Sequence, residues 1–431
     1  MSGLTEPVLR PHPTGDQQAH ITADAVARRS YGKLVAFLAA RSRDVAAAED
    51  ALSEAFASAL TDWPRNGCPT NPEAWLLTVA RRKLIDVNRR QRTADNAPRE
   101  LPFDESQSIA DLLNTIPTEV DPIPDRRLAL MFACAHPAID AAVRAPLILQ
   151  TILGFDAAAI ASAFLTSPPT MGQRLVRAKN KIRQAGIPFR IPDREELPAR
   201  LDAVLQAIYA AFAEGWVDAA GTDIARRDLA EEAIFLGRLV ASLLPDQPEA
   251  LGLLALMLYA EARRPARRNA QGDYIPLAEQ NPTLWNRQLI NQAEALLLEA
   301  SALGSIGRYQ IEAAIQSAHI SRRHTGHADW PAVVHLYDAL FTLTNSPVVA
   351  INRALAIAET HGPTAALESM PDESTHQRLT EYQPYWAARA ELLARTRSYP
   401  DARQAYEIAI GLERDPAVRR FLQQRQLTLP H

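Results

Sequence analysis

Apolar residues recur at intervals of three and four along almost the whole of this 431-residue chain, the period of helices that bury one face. No convincing alternating, β-branched run appears, so an all-α fold is predicted. Helices are expected at about 23–41, at about 45–62 after Asp44 as N-cap, and from Pro72 to about Arg92, with Asn71 as cap and proline at the first helical position. The stretch 95–125 breaks the pattern: it is proline-rich, carries eight acidic residues and reads as a linker with one short helix near 109–114. From Arg126 to Arg183 the helical period returns. Gly154-Phe155-Asp156 ends one helix and caps the next, which runs to Phe164. A tight turn at 165–167 leads to a last helix from Pro168. Two helices joined by so short a turn, the second of them basic, predict a helix-turn-helix.

From Pro188 onward the pattern becomes helix pairs separated by short Pro/Gly turns. In the clearest pair, Tyr385 to Pro416, small or apolar residues stand at Ala390, Leu393, Ala402, Tyr406 and Ala409. That spacing resembles a tetratricopeptide repeat, whose small residues let two antiparallel helices touch. Looser copies fall at 348–370, 249–263 and 284–303. The expected organisation is a loose tail over 1–20, a helical domain over 21–94, an acidic linker over 95–125, a helix-turn-helix domain over 126–187 and a repeat-like domain over 188–431.

Charge sharpens two of these helices. Trp75 to Arg92 holds six Lys or Arg and one acid, Asp86. Leu76, Val79, Ala80, Leu84 and Val87 form one stripe; Arg81, Arg82, Arg89 and Arg92 gather opposite it, a face suited to polyanions. The last helix of the second domain repeats the design. Thr170, Gln173, Arg174, Arg177 and Lys181 share a face, and Met171, Leu175, Ala178 and Ile182 share another. A solvated, arginine-rich surface is the plain alternative for either helix alone. The net charge of −4 conceals an asymmetry, since residues 1–190 hold 23 basic against 20 acidic residues and the remainder is acidic.

Two cysteines, Cys68 and Cys134, make no disulfide framework and favour a reducing compartment. No signal peptide and no membrane span are apparent, so a cytoplasmic protein without a membrane partner is expected. His319, His324, His327 and His335 cluster in sequence but fit no metal-site spacing. No phosphate-cradling glycine loop or nucleophile motif is present. Neither enzyme activity, metal nor cofactor is expected.

The order of an acidic helix, a helix of form W-L-x-x-x-A-R-R-x-x-I-D-x-x-R-R, an acidic linker and a helix-turn-helix resembles the extracytoplasmic-function sigma factors of bacterial RNA polymerase, in the sigma-70 family. Val45 to Phe56 is similar to the part of region 2 that grips core polymerase, Pro72 to Arg92 to the promoter-melting part, and Met171 to Arg183 to the recognition helix of region 4. The resemblance covers about 23–187. The rest resembles the C-terminal extension of a subgroup with a tetratricopeptide-like tail, through AIYAAFAEGW at 207–216 and DLAEEAIFLGRLVASLLP at 228–245. Gly172 departs from a good helix former inside the recognition helix.

The resemblance implies two partners, core polymerase and promoter DNA, and a surface for each. Polymerase is expected on Asp44, Glu49, Asp50 and Glu54 around an apolar strip of Leu52, Ala55 and Phe56. DNA is expected on Asn66, Arg81, Arg82, Asn88, Arg89 and Arg92, and on Thr170, Gln173, Arg174, Arg177 and Lys181. The loop 63–71 is a candidate pocket for a flipped base. Asn71 serves there or as a helix cap; Trp75 stacks on a base or anchors the core. The linker lies in the polymerase RNA channel or is a plain tether. The C-terminal domain is expected to regulate the sigma module, with a protein or peptide as its ligand. A rival assignment is a helix-turn-helix activator with a tetratricopeptide sensor domain.

Overall fold

The computed structural model describes residues 15–42, 44–95, 123, 125–184, 191–217, 224–372 and 377–430. They are helical almost throughout, and among them the only β-pairing is an isolated bridge between Arg268 and Tyr274. The linker helix expected near 109–114 lies outside them. The chain divides into two compact units, Met1–Ala207 and Ile208–His431.

In unit 1, α1 (Gly15–Ser42), α2 (Val45–Asn66) and α3 (Pro72–Asp95) pack on one another. α1 begins eight residues before its expected start, within the supposed tail. Its buried stripe of Ala19, Ala23, Val26 and Ser30 is made of small residues, a weak hydrophobic signal. Asp44 caps α2 by accepting from the Ala47 amide at 3.0 Å, and Asn71 accepts from the Ala74 amide at 3.0 Å ahead of α3. α2 runs past Pro64 and ends at Gly67, whose φ of +83° needs no β-carbon.

The rest of unit 1 is α4 (Arg126–Cys134), α5 (Ala141–Thr151), α6 (Ala157–Ala163) and α7 (Pro168–Gln184). Asp125, Asp140 and Asp156 cap the first three through side-chain bonds to amides in the following turn. Between α6 and α7, Leu165 takes φ +47° and Thr166 donates back to the Ala161 carbonyl at 2.9 Å. This Schellman closure turns the chain in three residues and makes the helix-turn-helix. The unit does not end near 187. Leu197 is fully buried, and Arg200, 2% exposed, donates to the Phe132 carbonyl at 3.2 Å and to Glu196 at 3.1 Å. The division at 207/208 falls inside α8 (Pro198–Val217).

Unit 2 continues with α9 (Ile224–Leu243), α10 (Pro248–Ala262), α11 (Arg287–Ala302), α12 (Arg308–Thr325), α13 (Trp330–Thr344), α14 (Pro347–Thr360), α15 (Pro363–Ser369), α16 (Gln383–Arg395), α17 (Tyr399–Leu412) and α18 (Pro416–Leu427). Proline occupies the first turn of α10 and of α13 to α18, where its missing N–H costs nothing. α10 is buried on all sides from Ala250 to Tyr259 and packs on α11 and α12. Glu249 accepts from the Tyr309 and Gln310 amides at 3.0 and 3.1 Å, capping α12 from a neighbouring helix. A β-carbon at Gly252 would stand 2.7 Å from the Gln310 nitrogen, so glycine sets how closely α10 and α12 approach. α16 and α17 pair through Ala390, Ala405, Tyr406 and Ala409, the small-residue seam expected for 385–416.

Candidate nucleic-acid interface

α3 buries Leu76, Leu77, Ala80 and Leu84 and leaves Val79 half-buried. Arg82 is exposed and Arg81 half-buried on the other side. The helix backbone continues to Asp95, but the side chains of Asn88, Arg89 and Arg92 lie outside the described residues. Lys83, between the two faces, reaches Glu54 of α2 at 2.9 Å. Both partners are well exposed, so the pair adds little stability.

Trp75 is half-buried, and its ring meets Trp63 edge-on at 5.5 Å. Trp63 is 1% exposed and belongs to the core. It therefore leaves the candidate base pocket, which shrinks to the turn at 67–71 beside Asn66. Asn66 and Asn71 are both exposed. The Asn66 amide donates to Asp62 at 2.7 Å, and Asn71 is occupied as a cap.

On α2, Asp50 and Glu54 face solvent. Asp44 is engaged as the cap. Leu52 and Ala55 are fully buried, which corrects the expected apolar strip. They fall in the register of Ala48, Ala59 and Trp63 and hold α2 in its bundle. Phe56 is half-buried and stacks on Tyr31 at 6.3 Å between centroids. Beside the acidic face runs an open groove of about 530 Å³, lined by Glu54, Ser58, Thr61, Asp62, Arg65 and Lys83.

α7 presents Gln173, Arg174, Arg177 and Lys181 to solvent and turns Met171, Leu175 and Ala178 into the core. Thr170 is half-buried, and its hydroxyl lies 2.6 Å from that of Ser167 at the helix start. Nothing in the fold opposes a β-carbon at Gly172.

Lys179 was not among the expected site residues. Its ammonium donates to Glu49 at 2.6 Å, across 130 positions of sequence. Lys179 is half-buried, next in chain order to the buried Ala178, and nothing in the sequence names its partner. Beneath the pair lies Cys134, whose thiol is pushed up to about 12, chiefly by burial and then by the Glu49 carboxylate. Tyr31 is raised too, by burial and by Glu49 and Asp50. In unit 2 the ring of His319 packs edge-on against Trp330 at 5.5 Å. Among the described residues no group of three His, Cys, Asp or Glu is placed to hold a metal ion, and no helix is long and apolar enough to cross a membrane.

Comparison with known proteins follows this geometry. The family described as Sigma-70 region 2 matches residues 26–94, which take in most of α1, all of α2 and nearly all of α3. A family of unknown function, DUF6596, matches residues 200–301. The chain is 38% identical over 371 residues to an uncharacterized protein of Rhizobium meliloti (strain 1021), covering 86% of this chain and 87% of that one. No solved structure matches. The chain belongs to one family with the Rhizobium protein, and its residues 26–94 form a sigma-70 region 2 domain.

Proposed function

We propose that the protein is a sigma factor of the extracytoplasmic-function type, whose unit 1 binds core polymerase and reads a promoter at two points. The observation that carries this is the pairing, in one compact unit, of a region 2 bundle with a helix-turn-helix whose second helix keeps Gln173, Arg174, Arg177 and Lys181 in solvent. Asp50 and Glu54 steer α2 toward a basic partner, by resemblance the clamp coiled coil of the largest polymerase subunit. Arg81, Arg82, Arg89 and Arg92 neutralise the phosphates of the opened strand, and Asn88 and, at the turn, Asn66 offer hydrogen bonds to it. Thr170, Gln173 and Arg174, near the start of α7, meet base edges of the upstream element, and Arg177 and Lys181 meet phosphates.

Unit 2, built of helix pairs that resemble tetratricopeptide repeats, regulates unit 1 in cis through a protein or peptide ligand. The buried small-residue seam of α16 and α17 supports the resemblance.

The test is reconstitution of the full chain with core polymerase on a library of promoter templates. Selective transcription of a sequence-related subset is the expected result. Specific duplex binding without core enzyme, and no promoter-selective initiation with it, would instead identify a helix-turn-helix activator. Removing 208–431 tests the regulatory half: promoter output that does not change, in vitro and in cells, overturns that part.

A further inference from the structure

The region 2 bundle of unit 1 packs on the rest of the unit where α1 meets α4 and α2 meets α5, and three close contacts accompany that packing. The first is the ion pair from Lys179 of α7 to Glu49 of α2, with side chains 22% and 15% exposed. The second is at Gly32 of α1, where a β-carbon would collide with the Ile152 carbonyl oxygen. Backbone approaches backbone there because the residue is glycine. In the third, the Tyr31 ring lies over Gly154, which turns with φ +73° after α5.

We infer that these contacts form a closed state in which the recognition helix withholds Glu49 from polymerase. The inference rests on the proposed use of α2 to grip core enzyme. Glu49 and Asp50 are adjacent, yet only Asp50 faces solvent. Lys179 does not lie on the DNA-facing side of α7. It sits at the rim of the buried face, next in chain order to Ala178, and the core residues Met171, Leu175 and Ala178 hold the helix in place without it.

A cationic partner that takes Glu49 replaces one charge pair with another. Such an exchange costs little, whereas leaving Glu49 part-buried and unpaired is expensive. The arrangement therefore opens on contact with polymerase and stays shut in solution. The fraction of molecules already open scales the apparent affinity.

The experiment measures binding of the full-length protein to core polymerase. Three variants are compared with wild type: Lys179→Ala, Lys179→Arg and Gly32→Ala. Lys179→Ala frees Glu49, and Gly32→Ala pries the same contact apart from the opposite side. Alanine also suits the interior of α1 better than glycine, so the bundle itself is not weakened. Both are expected to bind core about tenfold more tightly, and Lys179→Arg, which keeps Glu49 paired, to bind like wild type.

A second readout needs no polymerase. Amide exchange at 150–156 and alkylation of the buried Cys134 rise in Lys179→Ala and Gly32→Ala, with the part-exposed Cys68 as an internal reference. Unchanged core affinity with unchanged Cys134 protection overturns the closed state. Faster exchange with unchanged core affinity leaves the contact real but overturns its role toward polymerase. If no form binds core, the sigma assignment falls and takes the polymerase role with it, and the exchange data alone then decide whether the contact exists.

Discussion

Gln173 and Lys181 lie on one solvent face of α7, eight residues apart, and at 1.5 Å per residue that places them about 12 Å apart along the axis. The major groove is about 12 Å wide. If α7 enters the groove by its N-terminal end, Gln173 in the second turn is at the depth of base edges. Lys181, one groove width further out, is level with the phosphates.

The two side chains should then fail differently when cut to alanine. Gln173→Ala loses a bidentate contact of about 1–3 kcal/mol at promoters carrying the matching base, roughly 5- to 150-fold, and little elsewhere. Lys181→Ala releases one condensed counterion fewer. The slope of log affinity against log salt becomes shallower by about 0.9, a loss of about eightfold at 0.1 M salt on every template. The assay is holoenzyme binding to a panel of promoter duplexes, titrated between about 50 and 200 mM salt. Gln173→Ala is expected to reorder the templates at an unchanged slope. Lys181→Ala is expected to keep their order and flatten the slope. If both variants change order and slope to the same extent, α7 does not enter by its N-terminal end and the division of labour is wrong.

Other consequences concern the frame that carries these faces. Glu249→Ala removes the acceptor for two amides at the start of α12 and is expected to cost about 2 kcal/mol, read as a lower Tm; Glu249→Gln, which retains an oxygen, should recover about half of it. Arg200→Ala strips the Phe132 carbonyl and Glu196 of a buried guanidinium and should cost about 3 kcal/mol by denaturant titration. A chain cut near 190 should be destabilised for the same reason, and one cut after 207 should not. Because the Cys134 thiol is raised from 9.0 to about 12 by burial and by Glu49, it stays protonated when the folded protein is taken from pH 7 to pH 9. Its alkylation, followed by mass spectrometry, should remain slow over that range. An unfolded chain gives up the same proton from about pH 9, so this thiol subtracts stability as pH climbs from about 9 towards 12, and Cys134→Ala should flatten that decline.

What the sequence revealed about this fold was local, and what it hid was pairwise. Asp44 and Asn71 were legible as caps because a cap bonds to an amide two or three residues away. The turn at 165–167 was legible because a Schellman closure is made within six residues. The wet face of α7 and the exposed Arg82 of α3 followed from angle alone. Trp63 was misplaced for an instructive reason. The second helix was expected to end at about 62, yet α2 continues through Pro64, because a proline in the last turn forfeits only one bond and the Trp63 carbonyl still receives the Gly67 amide at 2.9 Å. Leu52 and Ala55 were set on the outer strip because a resemblance marked the segment as a gripping surface. The register of α2 places them in the core, with Ala48 and Ala59. Glu49 and Lys179 show the firmer limit. Periodicity states which side of a helix is wet, and it is silent on which wet residue finds another 130 positions away. If that pair is a switch, the residues that decide when this protein engages polymerase are those whose individual sequence signals were weakest: a lysine at the rim of a face, and a glycine in mid-helix.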